Sequence, residues 1–252
     1  QCKSFTFLEQ DEILQGTEFG TLAIADIDND NDLDIITEAS KSTVLYKNNG
    51  NGYFTAHSTF LSGIQKIEFV DVDNDNDPDL FISGQDSYKA LYLNDGLGNF
   101  TQDNRTTFPP TNSFGSFAFG DLDNDGDQDL LMTGHHTILN RKVTIILIND
   151  GTGKYTESQL NSFTGVVSST VLILDVNGDN YNDILISGKE TSTLITIKLY
   201  TNFTDNTPGK FARKTNTTFD STFVFSIVQA DLESDGDLDL LITYLEGSTK
   251  IY

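Results

Sequence analysis

The nine-residue stretch DLDNDGDQD (residues 121–129) places five aspartates on alternate positions. Four further stretches share its spacing: DIDNDNDLD (26–34), DVDNDNDPD (71–79), DVNGDNYND (175–183) and DLESDGDLD (231–239). The chain carries 38 acidic and 15 basic residues, and the acidic excess lies in these five segments. Negative charge that is placed in equivalent short segments indicates a specific role for each segment rather than general solubility.

The acidic segments mark a sequence repeat. They begin at residues 26, 71, 121, 175 and 231, and a period in this range is typical of a propeller or another array. Each segment lies between two short apolar runs, such as SFAFG before and QDLLMTG after residues 121–129. Runs this short and this rich in Ile, Val and Phe predict buried strands rather than helices.

Two more strands complete each unit. A third apolar run, such as TIILIND, follows, and in three units an Asn-Gly or Asp-Gly turn leads into a fourth. We therefore predict an all-β fold, a single β-propeller domain (1–252) with five four-stranded blades. The predicted repeats cover about residues 9–60, 61–108, 109–160, 161–219, and 220–252 together with 1–8.

The two ends of the chain are complementary. The opening SFTFLEQ is similar to fourth strands such as YFTAHSTF, and the closing TKIY is a third strand. We expect the N-terminal strand to complete the last blade and close the ring, which would remove exposed sheet edges. The alternative is an open piece of a larger propeller. The chain starts at Gln1 without an initiator methionine, as a processed protein or an excised fragment would.

The acidic spacing, D-x-[DNE]-x-D-[GN]-x-x-D, predicts a cation site. Two carboxylates about 4 Å apart repel by roughly 4 kcal/mol at an effective dielectric constant of 20. Calcium (Ca²⁺) accepts six to eight oxygen ligands in a flexible shell and would remove this repulsion. We expect side-chain oxygens from positions 1, 3 and 5, a backbone carbonyl from position 7 and a carboxylate from position 9. Position 6 is always Gly or Asn, which tolerate the left-handed backbone of a tight loop.

Other cation sites fit the sequence less well. An EF-hand needs flanking helices and Glu at position 12, where these segments have a strand residue such as Met132. Magnesium tends to retain its waters. Zinc at His135 and His136 would need further ligands, and only His57 and the single Cys2 remain.

With Phe-Gly pairs ahead of some segments (Phe19-Gly20, Phe114-Gly115 and Phe119-Gly120), the pattern resembles the FG-GAP/VCBS-repeat propellers of integrin alpha chains and many secreted bacterial proteins. Integrin-type propellers have seven blades rather than five. The resemblance implies about five structural calcium ions and an extracellular setting. We expect the fourth site to be weakest, because Asn177 lacks a charge. By position, the implied ligands are Asp26, Asp28, Asp30, Asp32 and Asp34; Asp71, Asp73, Asp75, Asp77 and Asp79; Asp121, Asp123, Asp125, Asp127 and Asp129; Asp175, Asn177, Asp179, Tyr181 and Asp183; and Asp231, Glu233, Asp235, Asp237 and Asp239.

Because the acidic loops stiffen one face, we expect ligand recognition by loops on the opposite face. The candidate residues there are Tyr88, Phe114, His135, His136 and Arg141. The predicted function is an extracellular binding or adhesion module for a protein or a glycan, without catalysis. One alternative is a structural unit of a larger surface assembly. Another is a propeller glycoside hydrolase or lyase, for which Glu68 is the one candidate carboxylate in an inner strand.

Composition excludes several other classes. A net charge of -23 argues against nucleic acids and anionic membranes as partners. No apolar run approaches the roughly 18 residues of a membrane span. Cys2 cannot form an internal disulfide, because it is the single cysteine. The sequons at Asn99, Asn104, Asn202 and Asn216 are about as many as chance predicts for this composition.

The acidic loops predict a calcium-dependent stability. Metal that binds only the folded state stabilises it by mass action, so a chelator should lower the melting temperature substantially. The measurement is a thermal melt with and without excess EGTA. An unchanged melting curve would contradict a structural role for calcium.

Overall fold

The computed structural model describes residues 21–39, 42–60, 63–112, 115–203, 209–215, 219, 222–233, 239–245 and 247–252. These residues contain nineteen strands in five antiparallel sheets, and one helical turn, Gln85–Ser87. We call the sheets blades 1 to 5. Their strands are β1–β4 (Leu22–Ala25, Asp34–Ala39, Ser42–Asn48, Phe54–Phe60), β5–β8 (Ile64–Val70, Asp79–Gly84, Lys89–Asn94, Phe100–Asp103), β9–β12 (Phe117–Gly120, Asp129–His136, Arg141–Asn149, Tyr155–Glu157), β13–β16 (Val167–Leu174, Asp183–Lys189, Ile195–Asn202, Phe211–Arg213) and β17–β19 (Val224–Ala230, Asp239–Tyr244, Thr249–Ile251).

The predicted all-β repeat is confirmed, with one difference. Blades 1 to 4 have four strands each, whereas blade 5 has three in the described part of the chain. The segment predicted to supply its fourth strand, residues 1–8, lies outside the described residues. Closure of the ring therefore stays a prediction.

All five blades share one register around the acidic loop. In each blade, the residue just before the loop pairs with the aspartate at position 9, as Gly120 does with Asp129 and Val70 with Asp79. Each loop thus joins the first and second strands of its blade, as predicted. This common register places the acidic loops at equivalent positions in every blade.

Adjacent blades pack face to face through apolar side chains. Ile36 and Leu45 of blade 1 pack with Ile67 and Leu80 of blade 2, and three similar clusters join blades 2 to 5. Between blades 2 and 3, Phe81 makes edge-to-face contacts with several rings, including Phe117 at 4.9 Å between centroids. The core therefore lies between the blades, and the second strands of blades 2 to 4 are buried on both of their sides.

The loops segregate to two faces. A Cβ atom at Gly151, in the turn between the third and fourth strands of blade 3, would lie 2.7 Å from Asp127 Oδ2 of the acidic loop. These turns therefore share one face with the acidic loops, which we call the acidic face. On the other side, Asn112 donates its backbone N–H to the carbonyl of His135 at 3.0 Å. Connections between blades and second-to-third-strand loops share this opposite face, as the sequence predicts.

In blades 2 to 4, an asparagine at the end of the third strand joins the blade to the preceding one. The side-chain amides of Asn94, Asn149 and Asn202 donate to the carbonyls of Ile27 at 2.8 Å, Val72 at 2.7 Å and Leu122 at 2.9 Å. Each of these carbonyls belongs to position 2 of the acidic loop in the preceding blade. The sequence did not predict this contact between blades. The three asparagines are buried, so each one acts as a latch between two blades.

We expect Asn149→Ala to destabilise the protein by about 1–3 kcal/mol, because it leaves buried backbone groups without partners. The lost contacts include those to the carbonyls of Val72 and Gln128 and to the amides of Gly151 and Gly153. Urea denaturation in calcium measures the change. Asn104→Ala, at an exposed position, is the control and should stay within about 0.5 kcal/mol. Equal stabilities for the two variants would contradict the latch.

Candidate metal centres and ligand cavities

The aspartate at position 9 anchors each described acidic loop. In blade 3, Asp129 Oδ2 accepts the N–H of Leu122 at 2.9 Å and Oδ1 accepts the N–H of Asn149 at 2.9 Å. Asp34, Asp79 and Asp183 make the same pair of bonds. These aspartates are fully buried. Position 9 therefore holds the loop to both the first and the third strand of its blade.

The structure brings positions 1, 3 and 9 together in the first three loops. In each one, an oxygen from every member lies within 4.8 Å of the others, an arrangement that can hold a metal ion. Position 1 also shapes the loop, since Asp121 Oδ2 accepts the N–H of Gly126 at 3.0 Å. The three groups are Asp26, Asp28 and Asp34; Asp71, Asp73 and Asp79; and Asp121, Asp123 and Asp129.

Positions 5 and 7 are used differently. Position 5 accepts a backbone N–H of its own loop, as Asp125 does from Asp127 at 3.0 Å. The position 7 carboxylate accepts the side-chain amide of position 4 in the preceding blade: Asn29 to Asp77 and Asn74 to Asp127, both at 2.7 Å. The position 7 side chain therefore links neighbouring loops, and its backbone carbonyl stays the predicted ligand.

Several carboxylate oxygens in these groups are buried without a hydrogen-bond partner. They are Oδ1 of Asp28, Asp73 and Asp123 at position 3, and Oδ1 of Asp71. Buried polar atoms are normally satisfied, and an orphaned carboxylate oxygen points to an ion. Hard oxygen donors of this kind suit calcium, so the residues present fit the predicted cation. In the first loop, a positively charged side chain already lies beside the carboxylates, since Lys47 Nζ is 3.0 Å from Asp28 Oδ2.

Three buried carboxylates in the second and third loops have strongly raised pKa values. Burial raises the pKa of Asp79 and of Asp129 to about 7, and the neighbouring carboxylates add to this. Burial and the adjacent Asp125 raise the pKa of Asp123 to about 6. A bound cation would oppose these shifts, because it stabilises the ionised form.

The predicted left-handed backbone at position 6 is confirmed in the described loops. The φ angle is 70° at Asn31, 71° at Asn76, 97° at Gly126 and 66° at Asn180. Position 4 is left-handed as well, for example at Asn124 with φ of 63°. We did not predict the left-handed backbone at position 4. The sequence indicates it in the same way as at position 6, because position 4 is an asparagine or a glycine in the first four loops.

The fourth and fifth loops differ from the first three. In the fourth, Asp175 is partly buried, which raises its pKa, but bonds from four backbone N–H groups outweigh this and lower it. Asn177 Oδ1 accepts the N–H of Asp179 at 3.0 Å, and Tyr181 and Asp183 complete the loop. That this site is the weakest stays a prediction. In the fifth, Asp231, Glu233 and Asp239 are described, whereas Asp235 and Asp237 lie outside the described residues.

A groove of about 780 Å³ runs between the outer strands of blades 1 and 2. Its apolar wall contains Tyr88, Tyr92, Phe60 and Phe100. The Tyr88 and Tyr92 hydroxyls lie 3.2 Å apart, and the rings of Phe60 and Tyr92 meet edge to face at 5.2 Å. The polar wall contains His57, Ser58, Thr59, Asn99 and Gln102.

The other candidates for ligand binding lie elsewhere on the opposite face. His136 and Arg141 pair at the end of the second-to-third-strand hairpin of blade 3 and line a polar cavity of about 270 Å³. His135 lies beside them, and Phe114 is outside the described residues. Among the described residues, the groups suited to a metal contain only aspartates. The structure therefore places Tyr88 and the His136–Arg141 pair in two separate cavities.

Residues 26–82 and 71–132 match the model of the FG-GAP-like repeat. This confirms the predicted family. No curated protein matches the chain in sequence. Within the described residues, no helix is long and apolar enough to cross a membrane.

Among solved structures, the fold is similar to that of an Agrocybe aegerita lectin described as recognising non-reducing terminal N-acetylglucosamine. The TM-score is 0.63 at 17% identity, and the match covers 93% of this chain and 66% of the lectin chain. The chain thus spans slightly less than two thirds of the lectin's length. At this identity the likeness supports the propeller-like fold alone.

The raised pKa values predict that stabilisation by calcium depends on pH. A buried aspartate with a folded-state pKa of about 7, against an ordinary value of 3.8, keeps its proton while the unfolded chain loses it. Without calcium, the free energy of unfolding should therefore fall as the pH rises from about 4 to about 7. Calcium binds the ionised form, so its stabilising effect should grow over the same range.

Melting temperatures of dialysed protein at pH 5.0 and pH 7.5, with calcium chloride or sodium chloride at matched ionic strength, measure this effect. We expect a clearly larger shift on calcium addition at pH 7.5. Equal shifts at the two pH values would contradict the coupling between the carboxylate protons and the ion.

Proposed function

We propose that this chain is an extracellular, calcium-stabilised binding module that recognises a glycan. The observation that carries the proposal is the groove between blades 1 and 2, which combines aromatic side chains with amide and hydroxyl groups. Aromatic surface with a few directed polar groups is typical of small-molecule sites. A pyranose ring has apolar C–H faces and equatorial hydroxyls, so it matches both walls of this groove.

Calcium supplies the rigidity in this proposal. The three aspartate groups and their orphaned oxygens support a hard cation in the first three loops, and FG-GAP repeats are often calcium-binding. About five ions, one in each loop, would change the net charge from -23 to about -13. Extracellular calcium is about millimolar, which suits even modest sites. The proposed location of the protein is therefore outside the cell.

The lectin likeness supports a glycan over a protein as the ligand. That lectin is described as recognising a terminal sugar, and its fold is shared over most of this chain. The groove residue Tyr88, a candidate from sequence, offers a rigid amphipathic ring of the kind that binds sugars and peptides alike. The open shape of the groove, between two outer strands, is accessible to the end of a glycan chain.

The environment of Glu68, the candidate carboxylate in an inner strand, favours a binding role for the protein over catalysis. Burial raises the pKa of Glu68, and Lys66 at 3.5 Å offsets part of this shift. A glycosidase needs two carboxyl groups on either side of the scissile bond. Glu68 is instead paired with an ammonium group, so we assign it a structural role.

A second candidate function, a unit of a larger surface assembly, is favoured by the apolar faces of the end blades. Leu22 of blade 1 is 66% exposed, whereas Ile67, its equivalent in blade 2, is 6% exposed. At the other end, Ile251 is 61% exposed, whereas Leu91, its equivalent, is fully buried. Native mass spectrometry of the calcium-loaded protein tests association through these faces.

A glycan array probed with calcium-loaded protein tests the proposed function. We expect saturable binding that falls at least tenfold in Tyr88→Ala and in Gln102→Ala. Gln102 is exposed at the groove, so its loss should leave the fold intact. Tyr53→Ala is the matched control, because Tyr53 is an exposed tyrosine outside the groove. An empty array, or binding that the groove variants leave unchanged, would overturn the proposal.

A further inference from the structure

The residue that follows Tyr88 in the chain is a lysine, and it lies on the other side of blade 2. Tyr88 contributes to the groove toward blade 1, and the next residue, Lys89, lines a cavity of about 180 Å³ toward blade 3. Consecutive residues of an extended chain point to opposite faces. Asp86 and Ser87, just before them, have φ angles of 53° and 67°. Left-handed non-glycine residues are strained, and such strain concentrates at functional sites.

Lys89 is a largely buried ammonium group without a carboxylate partner among the described residues. Its Nζ donates to the carbonyl of Thr111 at 2.7 Å and, more weakly, to that of Ser87 at 3.4 Å. Burial lowers its pKa to about 8. A buried charge is costly unless it is paired, and two neutral carbonyls leave the positive charge of Lys89 uncompensated.

A second lysine lines the same cavity. Lys66 donates to the carbonyl of Phe117, and its Nζ lies 3.9 Å from the centroid of the Phe117 ring. It also pairs with Glu68 at 3.5 Å. Glu68 offsets the charge of Lys66 alone, so the uncompensated ammonium group of Lys89 leaves the cavity with a net positive charge.

The remaining walls are mostly polar and offer hydrogen bonds. Ser83, Ser116, Asn112 and Thr133 line the cavity beside the backbone of Gly115. Its volume corresponds to about six water molecules at about 30 Å³ each. That space accommodates a carboxylate with a few attached carbon atoms. It is too small for an oligosaccharide, so a larger ligand would insert only its charged group.

We infer that this cavity between blades 2 and 3 binds the carboxylate of an acidic sugar, with Lys89 and Lys66 as its counter-charges. The inference rests on the proposed glycan-binding function but concerns a different cavity from the aromatic groove. The opposite face suits an anion, because His135, His136 and Arg141 lie on the same side of blade 3. The acidic loops lie on the other face and do not compete for the ligand.

Lysine signals in the NMR spectrum report on this site directly. Calcium-loaded protein with ¹³C-labelled lysine is titrated with D-glucuronate and, separately, with D-glucose. We expect glucuronate to shift the Lys89 and Lys66 side-chain signals saturably in the millimolar range, and glucose to leave them unchanged. No saturable shift up to 50 mM glucuronate, or an equal effect of glucose, would overturn the inference.

Variants separate binding from a structural role of Lys89. Lys89→Gln should abolish the glucuronate shift at Lys66, and Lys89→Arg, which keeps the charge, should retain at least part of it. Lys142→Gln is the matched control: Lys142 also donates to two backbone carbonyls, those of Lys189 and Glu190, but lines a different cavity. Its loss should leave glucuronate binding intact. Unchanged binding in Lys89→Gln would overturn the assignment.

Two further comparisons identify the kind of ligand that supplies the carboxylate, and they separate this inference from the proposed glycan binding at the groove. A glutamate-containing peptide that shifts the same signals at tenfold lower concentration than glucuronate would overturn the acidic sugar in favour of a protein ligand. Neutral-glycan binding at the groove without any glucuronate effect would overturn this inference alone. A glucuronate effect with an empty neutral-glycan array would support the carboxylate site and count against the groove.

Discussion

A buried aspartate that accepts two backbone N–H groups is the interaction on which the other features depend. At position 9 of each described loop, one oxygen binds position 2, and in blades 1 to 4 the other binds the asparagine at the end of the third strand. The same asparagines in blades 2 to 4 reach the carbonyl of position 2 in the preceding blade. One hydrogen-bond system thus closes the acidic loop, fixes three strands and joins two blades. Because the aspartate is buried, its ionisation is costly, and a cation beside it would stabilise the whole system.

The acidic loops are therefore connected rather than independent. Position 4 of one blade donates to the position 7 carboxylate of the next, from Asn29 to Asp77 and from Asn74 to Asp127. An ion that orders one loop would also orient its neighbour. The loops are not electrostatically equal, since Lys47 already lies beside Asp28 in the first. The second and third loops have the greater need of a cation, and burial raises the pKa of their position 9 aspartates to about 7.

Local signals predicted the strands, the place of the acidic loops between first and second strands, and the left-handed position 6, because each depends on residues close together in the chain. Features that join residues distant in the sequence were not predicted. The asparagine latches are of this kind, since the carbonyls they bind belong to the preceding blade. Tyr88 was a candidate from sequence, but the groove around it was not predicted, because Phe60 of the neighbouring blade 1 forms part of its lining. Lys89 gave no signal, because its burial depends on the distant Thr111. The fifth loop and ring closure lie partly outside the described residues.

The two faces of the protein hold neighbouring blades together in different ways. On the acidic face, Asn94 joins blade 2 to blade 1, Asn149 joins blade 3 to blade 2, and Asn202 joins blade 4 to blade 3. On the opposite face, Lys66 donates to the carbonyl of Phe117 and Lys142 donates to that of Lys189, so lysine side chains join the same blades. Both ligand cavities with basic residues lie on this opposite face. A strained pair such as Asp86 and Ser87 persists only where the surrounding structure holds it. Local backbone hydrogen bonds supply that support, from Gly84 to the carbonyl of Tyr88 and from Tyr88 to the carbonyl of Gln85. They hold the pair directly beside the cavity that Lys89 lines.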